Sequence, residues 1–415
     1  MLGVDFNDRL LSFASDGSLG GSAPPRLRVR PTGLAQAVPA LVDTLREQMG
    51  DSAVPLWASV GAGSSGADLG ELLRALRAAR CEVQGFVDGA AVTIAWLQMP
   101  GHSIVLDLHQ HWLDLSLVAR GEGSVELRRT ARVLVGSADL FDHWLRLAAQ
   151  TLVQQTRFDP LHDQRHEQIL RAGLTDLVRK AQREGQGQMG FEVDGRHLEL
   201  MLSRDQLRQA AIPWCAALSA ALQPLCAATD DCNLVVPETL LEYPGIDEML
   251  VAAHAGSLHA LSEGASARAA SLLPVTGAGH TGAVAYLTRV TAEMPRADEG
   301  ASRVVQHGER VIGTMATHVV YRGRAISIPA QGMVLGRTDT ADIRLPEGIA
   351  GLSRRHCTLV RTGGRAQVID HSQHGSFVDG LRVHGRGFLP AGSVLRLGTP
   401  GIELPLIALE STGGM

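Results

Sequence analysis

The sequence predicts a multidomain protein in which an α/β domain precedes an all-β sandwich. Residues 1–288 alternate short apolar runs, typical of strands, with long amphipathic stretches, typical of helices. A polar, turn-rich segment from Met294 to Gly300 interrupts this alternation. Short alternating runs separated by glycines then recur through residues 316–411, as in a β-sandwich. We therefore expect one domain over 1–288, a linker region over 289–315 and a second domain over 316–411.

Two β-hairpins are expected in the α/β domain, one at its start and one near its middle. The first covers residues 2–14 and turns at Asn7 and Asp8, and the second covers 104–119 and turns at residues 109–112. Ser203 and Gln206 have the spacing of a capping box, which predicts a helix start. The other expected elements, in chain order, are a strand over 54–60, a helix over 69–80, a strand over 81–87, helices over 137–154 and 163–183, a hairpin over 191–202, a helix over 203–226, a strand over 233–236 and a helix over 245–253.

The composition argues against nucleic acid or a membrane as the main partner. A formal net charge of −5 gives no general attraction to phosphate backbones, and an aromatic content of 4% is low for base stacking. The amino terminus lacks the pattern of a secretory signal, and the most apolar stretch, 89–108, is broken by Pro100 and Gly101. The five cysteines follow no metal-ligand spacing and indicate reduced thiols. We expect a cytoplasmic protein with no membrane span and no metal site.

Short polar motifs follow one another closely in the second domain. A strand ends in Gly336-Arg337, and Ser353-Arg354-Arg355-His356 and Ser372-Gln373-His374-Gly375-Ser376 follow. A phosphothreonine has close to two negative charges and three strong acceptor oxygens, which guanidinium and hydroxyl donors on rigid loops can bind. Donors of this kind are Arg337, Ser353, Arg354 and Ser372. Their clustering on loops at one end of the expected sandwich favours phosphate recognition.

This series of motifs closely resembles the forkhead-associated (FHA) family over roughly residues 318–410. The resemblance implies binding of a phosphothreonine-containing protein in a Ser/Thr kinase pathway. It implies that Arg337 and Ser353 bind phosphate and that His356 is architectural. His374 stands where the family usually has an asparagine that contacts the peptide main chain, so the affinity or sequence preference is expected to differ. The expected phosphopeptide-binding residues are Arg337, Ser353, Arg354, Ser372 and His374, and the expected structural residues are Gly336, His356, Gly375 and Gly380.

The first domain resembles the actin-like ATPase fold, and in particular the nucleotide-binding part of DnaK-type chaperones. Residues 2–6 are similar to the start of that family's first hairpin, residues 86–96 to its connecting helix, and residues 104–108 to its second hairpin. The resemblance implies two lobes around a cleft, with ATP held between the two hairpin turns. It also implies that Asp5, Asp88 and Asp107 are the acids that would surround Mg²⁺ and the reacting phosphate.

Three departures from that family predict a pseudo-ATPase. The first turn is Asn7-Asp8 and the second is His109-Gln110-His111-Trp112, where the family has glycines that let phosphate approach the backbone. Pro237-Glu238 replaces the glycine pair of the adenosine motif. No cofactor is therefore expected, with ATP and Mg²⁺ as the alternative. In that alternative the protein is an active DnaK-like switch whose nucleotide state is coupled to phosphopeptide binding.

Two further alternatives remain open in the sequence. Gly61-Ala62-Gly63-Ser64-Ser65-Gly66 matches the dinucleotide fingerprint between a strand and a helix, so a dinucleotide-binding enzyme is a second alternative. Thr291, in the expected linker, is a candidate phosphothreonine through which the chain could bind itself. Neither the partner and its kinase nor the oligomeric state follows from the residues.

Overall fold

The structure is a computed structural model that describes residues 1–7, 9–23, 34–49, 55–193, 195–229, 232–253, 256–274, 284–298, 300–305, 315–362, 365–383 and 385–409. By their contacts, the described residues form two units. The first takes its residues from 1–210, 224–244 and 256–305, and the second from 211–223, 245–255 and 306–415. The expectation of more than one domain is confirmed.

The elements before residue 305 alternate strands with helices, as predicted. In chain order they are β1 (Leu2–Asp5), β2 (Leu11–Ser15), β3 (Ser18–Ala23), α1 (Leu34–Met49), β4 (Pro55–Val60), α2 (Gly66–Ala78), β5 (Glu82–Asp88), α3 (Gly89–Leu97), β6 (His102–Leu108), β7 (Leu113–Arg120), β8 (Ser124–Val133), α4 (Ser137–Thr156), α5 (Gln164–Glu184), β9 (Gln186–Val193), β10 (Arg196–Ser203), α6 (Arg204–Cys226), β11 (Cys232–Pro237), α7 (Ile246–Ala253), β12 (Leu258–Leu261), α8 (Ala265–Ala270), β13 (Tyr286–Leu287), β14 (Arg289–Thr291) and β15 (Ser302–Val304). Every predicted element up to residue 253 is present. Sequence reasoning missed α1, β3 and β8.

Two sheets of the first unit share the order of five strands, β3-β2-β1-β4-β5 in one and β8-β7-β6-β11-β12 in the other. In the first sheet the order is β13-β5-β4-β1-β2-β3, with β1–β2 an antiparallel hairpin and β1, β4 and β5 parallel. In the second it is β14-β8-β7-β6-β11-β12-β15, with β6–β7 the hairpin and β6, β11 and β12 parallel. In chain order, therefore, each sheet starts with a hairpin and continues with parallel strands. The sequence shows no internal repeat that would predict this duplication.

A single apolar helix lies at the centre of the first unit. Residues 90–96 of α3 are all buried, so this helix is apolar on every side rather than amphipathic. It shares a core cluster with α8 and with strands of both sheets, including Trp57 and Val87 from the first and Val105 and Val235 from the second. Burial on all sides explains why the run 89–97 has no polar face.

The expected linker over 289–315 differs from the structure in its first part. β14 pairs with β8, and β15 pairs with β12, so residues 289–304 close both edges of the second sheet. Val290, Ala292 and Met294 are buried in the first unit. These strands are three residues each, which is too short for a periodic signal in the sequence. At the edge of a sheet a strand needs a hydrogen-bonded neighbour on one side only, so such short strands can form there. Residues 306–314 lie outside the described residues.

The second unit contains the predicted all-β sandwich. Its strands are β16 (His318–Tyr321), β17 (Arg324–Ser327), β18 (Met333–Gly336), β19 (Ile343–Arg344), β20 (Cys357–Thr362), β21 (Arg365–Asp370), β22 (Ser376–Val378), β23 (Leu381–Val383), β24 (Arg386–Phe388), β25 (Val394–Leu397) and β26 (Ile402–Ile407). One sheet has the order β17-β16-β26-β25-β22-β23 and the other β19-β18-β20-β21-β24. Alternate side chains of both sheets form one apolar core, to which Leu335, Leu359, Val368, Leu395 and Leu404 belong.

Parts of two helices group with the sandwich rather than with the α/β unit. Residues 211–223 of α6 and the α7 segment 245–255 fall within the second unit, although the sequence assigned them to the domain 1–288. Within this unit, Ile212 lies beside the β22–β23 turn at Gly380. Helix α7 packs against β24. Amphipathic periodicity predicts that a helix has an apolar face, but it does not say which sheet covers that face.

No helix within the described ranges is both long enough and apolar enough to cross a membrane.

Candidate functional site

The Gly336-Arg337 motif ends strand β18 directly against the loop that carries Ser353. A Cβ on Gly336 would overlap the carbonyl oxygen of Arg354, so only glycine permits this approach. Two backbone hydrogen bonds join the segments, from Arg337 N to Ser353 O at 3.3 Å and from Thr338 N to Arg354 O at 3.2 Å. The structure thus brings Arg337 and Ser353 together, as the sequence predicted.

Arg337 keeps a donor that the fold does not use. The side chain is partly buried, and its Nε is a buried atom with no hydrogen-bond partner among the described residues. A buried guanidinium donor is ordinarily satisfied, because leaving it unpaired costs desolvation energy. The orphaned Nε therefore indicates a position that an external acceptor, such as an anion, can fill.

His356 holds the neighbouring loops in place. Its side chain is fully buried, its Nδ1 accepts from Ser353 N at 3.1 Å, and its Nε2 lies 3.2 Å from Gly375 O. Because Nδ1 accepts, Nε2 carries the proton and donates to the Gly375 carbonyl. Burial lowers the pKa of His356 below its usual value, which favours this neutral form. The geometry supports the architectural role expected for His356.

Ser353 and Ser372 have different environments. The Ser353 Oγ accepts from Gln373 N at 3.3 Å, which leaves its hydroxyl proton available. The Ser372 Oγ instead donates to Asp370 Oδ1 at 2.8 Å, and Ser372 N donates to the same oxygen at 3.2 Å. Ser376 Oγ also donates to that oxygen, at 2.8 Å. The structure thus places Ser372 in a turn organised by Asp370, a residue that sequence reasoning missed.

Gly375 sits where three loops meet. Its φ of +81° is in the region that favours glycine, and its carbonyl oxygen accepts from Gly398 N at 2.9 Å as well as from His356. Gly380 follows Asp379 in the turn between β22 and β23, where both residues have positive φ. These contacts fix the backbone on which His374 and Ser376 are presented.

The rim of this loop cluster is positively charged. Arg354, Arg355 and His374 are exposed. His374 is close enough to His356 to lower its pKa further, after burial. Arg355 adds to burial in lowering the pKa of His371, whose Nε2 lies 2.9 Å from Thr358 Oγ1. Sequence reasoning missed Arg355 and His371 as members of the rim, although Arg355 lies within the Ser-Arg-x-His motif.

The first unit has a cleft of about 300 Å³ near its two hairpins. Asp5 and Asp107 line it, whereas Asp88 is fully buried and caps α3 by accepting from Ala91 N at 2.8 Å. Burial raises the pKa of Asp88 to about 7, and burial together with Asp107 raises that of Asp5 to about 7. For Asp107 burial acts in the same direction, but His109 and Asn7 outweigh it and hold the pKa below its usual range.

The two hairpin turns are joined directly to each other. Asn7 Nδ2 donates to Asp107 Oδ1 at 2.8 Å and to Leu108 O at 3.2 Å. Arg9 Nε donates to Leu108 O at 3.3 Å. Asp8 lies outside the described residues. The gap in which the actin-like resemblance would place phosphate is therefore bridged by side chains of the first hairpin.

The second turn also occupies the start of helix α4. Ser137 N donates to His109 O at 3.0 Å, and Ala138 N donates to Gln110 O at 2.9 Å. Helix N-terminal N–H groups are the usual backbone donors to anions, and here the turn carbonyls accept from them. The His109 and Trp112 rings are buried and stack at a centroid distance of 4.3 Å. Both turn and helix start are thus satisfied internally.

An ion pair fills the space beside the Gly61–Gly66 loop. Arg132 binds the buried Asp114 through two contacts of 2.7 Å. A Cβ on Gly61 would lie 2.7 Å from Asp114 Oδ2, and one on Gly63 would lie 2.6 Å from Arg132 Nη2. These two glycines therefore make room for the Asp114–Arg132 pair. Ser65 caps α2 in a reciprocal capping box with Asp68.

The part of the chain that the structure describes contains no group of three or more His, Cys, Asp or Glu side chains arranged to hold a metal. Asp5 and Asp107 make their contacts with Ser59, Asn7 and His109 instead. Both carboxylates thus have protein partners at the place where the actin-like resemblance implies Mg²⁺.

Comparison with known proteins identifies a part of the second unit. A family model described as "FHA domain" matches residues 333–398, which carry all the loops of the Arg337 cluster. No curated protein matches the chain. The chain thus contains an FHA domain near its carboxy terminus, and FHA domains bind phosphothreonine peptides in signalling.

Proposed function

We propose that this protein is a phosphothreonine-dependent adaptor whose first unit is an actin-like domain that does not turn over ATP. The FHA domain supplies the binding function. The partner is a protein phosphorylated on threonine by a bacterial-type Ser/Thr kinase, in signalling or in the assembly of a larger machine. Both act in the cytoplasm in this proposal.

The unsatisfied Arg337 Nε is the observation that carries the phosphate-binding proposal. It adjoins the Ser353 loop, whose hydroxyl proton is available, and the exposed Arg354 extends the cationic surface. In this proposal Arg337 and Ser353 bind the phosphate, Arg354 adds charge, and His374 contacts the peptide beside it. Ser372 acts through its turn with Asp370 and reaches the phosphate only if its hydroxyl is released.

A paired titration tests this proposal. The full chain is titrated with an oriented phosphothreonine peptide library and its unphosphorylated twin, beside Arg337→Ala. Loss of a charge-assisted contact should weaken binding by roughly tenfold to a hundredfold. Arg324→Ala, on the exposed strand β17, is the matched control and should bind as the wild type does. If wild type does not distinguish phosphorylated from plain peptide, the phosphate site is refuted.

The internal contacts of the first unit support the pseudo-ATPase proposal. Asn7 bridges the turns, the first N–H groups of α4 donate to turn carbonyls, and the Asp114–Arg132 pair fills the glycine loop. The duplicated sheet order, with a hairpin opening each sheet, supports an actin-like arrangement of two lobes around a cleft. Asn7, the start of α4 and Arg132 therefore already have partners among the residues that the structure describes.

Calorimetric titration of the full chain with MgATP and with NAD⁺ tests this second part. We expect neither ligand to bind, because binding would require breaking several internal hydrogen bonds. We expect no Mg²⁺-dependent hydrolysis above that of Asp107→Asn. Hydrolysis that Asp107→Asn abolishes would establish the ATPase switch instead. Saturable NAD⁺ binding would favour the dinucleotide alternative.

A further inference from the structure

We infer that the phosphothreonine partner carries acidic residues beside its phosphothreonine, and that Arg382 binds them on the outer face of the FHA sandwich. This inference rests on the proposed phosphothreonine binding and names the sequence class of the partner. The surface concerned is formed by Arg382, Phe377 and Arg396, and we call it the arginine strip.

Strand register builds the arginine strip. Phe377 on β22 pairs with Arg382 on β23 and with Arg396 on β25. Its neighbours Ser376 and Val378 are buried, whereas Phe377 is only partly buried, so these three side chains share the outward face. The Arg396 Cζ lies 4.0 Å from the centroid of the Phe377 ring. The strip therefore presents two guanidinium groups on either side of an aromatic ring.

The strip begins at the candidate phosphate site. Gly375 adjoins His374, and its carbonyl is held by His356. Arg382 Nε lies 3.0 Å from the position that a Cβ on Gly375 would occupy. Because Gly375 has no side chain, Arg382 and Phe377 pack against it directly beside His374. The two surfaces are continuous across one glycine.

The two arginines of the strip differ in how they are held. Arg396 Nη1 donates to Gly398 O at 2.7 Å and to Thr399 Oγ1 at 3.3 Å, so it is anchored over Phe377. Arg382 is exposed and has no hydrogen bond or ion pair with any residue that the structure describes. By contrast, Arg344 on the other sheet pairs with both Asp339 and Glu347. Arg382 is therefore a cation that can pair with an external carboxylate.

Local charge identifies an acidic occupant. Residues 316–409 contain eleven arginines, no lysine and six acidic residues, although the whole chain has 43 acidic residues against 38 basic ones. The FHA region thus has a net positive charge, whereas the rest of the chain has a net negative one. A guanidinium group binds a carboxylate through two parallel hydrogen bonds, which suits a glutamate or aspartate of the partner. An acidic flank matches both the unpaired Arg382 and the charge of the surface.

Two phosphothreonine peptides that differ only in their flanking residues test the inference. One has glutamate and the other glutamine on both sides of the phosphothreonine, and each has an unphosphorylated twin. The full chain is titrated with all four, together with Arg382→Gln and the control Arg324→Gln. Arg324 is exposed on β17, at the opposite edge of the same sheet, so both variants remove one positive charge.

We expect wild type and Arg324→Gln to prefer the glutamate peptide by about two- to fivefold, the range for an exposed ion pair. Arg382→Gln should lose this preference and keep its selection for phosphothreonine. Equal binding of both phosphopeptides by wild type, or an undiminished preference in Arg382→Gln, would overturn the inference while leaving the phosphate site standing. If no protein selects phosphothreonine, the proposed function itself fails, and the twin peptides show this separately.

Discussion

The hairpin turns of the first unit and the loop cluster of the FHA domain are built from similar parts. They differ in whether their hydrogen-bond donors already have partners within the chain. Each is a set of loops at the ends of strands, and glycines allow close approach in both: Gly61 and Gly63, in the loop after β4, beside Asp114 and Arg132, and Gly336 and Gly375 in the FHA domain. In the first unit Arg132 forms an ion pair with Asp114, and the first N–H groups of α4 donate to turn carbonyls. In the FHA domain Arg337 Nε has no partner among the described residues. The capacity to bind phosphate therefore depends on which donors have no acceptor within the fold.

Removing Arg132 should give the largest effect and test the claim that the first unit is filled internally. Arg132→Ala leaves the carboxylate of Asp114 buried without its cation, so the free energy of unfolding should fall by about 3–5 kcal/mol. Urea denaturation measures this. Arg128→Ala, on the same strand but with an exposed side chain that pairs with Glu126, should change it by less than about 1 kcal/mol. Equal effects of the two variants would show that the buried pair does not fill the loop.

Arg337→Ala should show the reverse behaviour. Phosphopeptide affinity should fall by roughly 1.5–3 kcal/mol, because a charge-assisted contact is lost. The free energy of unfolding should stay within about 0.5 kcal/mol of wild type, since Arg337 Nε stabilises no described partner. Urea denaturation and peptide titration on the same preparation give both values. A large loss of stability would mean that Arg337 is structural, and the contrast with Arg132 would disappear.

His356→Ala should destabilise the loops that form the candidate phosphate site. Ser353 N loses its acceptor and Gly375 O loses one donor, so the unfolding free energy should fall by about 1–3 kcal/mol. His371→Ala is the matched control, because His371 is exposed and its Nε2 lies within hydrogen-bond distance of Thr358 Oγ1 at the surface. It should change stability by about 0.5 kcal/mol or less. Unchanged stability of His356→Ala would refute the loop-holding role.

Asp88→Asn should give the smallest effect, visible as a change in pH dependence. The pKa of Asp88 is about 7 in the folded protein, above its ordinary value, so the fold holds a proton that the unfolded chain releases. The wild type therefore loses stability from this group as the pH rises from about 4 to 7, whereas asparagine does not titrate. Asparagine also retains the acceptor for Ala91 N. Relative to wild type, the variant should gain at least about 1 kcal/mol between pH 5 and pH 8.

Urea denaturation at the two pH values measures this change. Asp205→Asn, on the exposed side of α6, is the control. A constant difference between Asp88→Asn and wild type would show that Asp88 is ionised in the fold at both pH values.

Local features of the fold could be predicted from the sequence. The two leading hairpins, the helices over 137–156 and 164–184 and the all-β pattern after residue 316 depend on short-range periodicity and turn residues. The segment 289–304 could not be predicted, because three-residue edge strands take their conformation from the sheet that they join. The grouping of residues 211–223 and 245–255 with the sandwich was missed for the same reason, since the burial partner of a helix face is a long-range property.

From the amino-acid sequence one can read which chemical groups each site contains and that Arg337, Ser353 and His356 lie on neighbouring loops. These residues belong to one compact module whose motifs are at most a few tens of residues apart. Which of these groups already have a hydrogen-bond or ion-pair partner within the chain follows only from the folded structure. Asn7 reaches Asp107 across 100 residues, and Arg132 reaches Asp114 across 18, through contacts that depend on strand register and packing. A donor's partner depends on distance in space. Arg132 and Arg337 are the same residue type, and only folding places an acceptor beside Arg132 and none beside the Nε of Arg337.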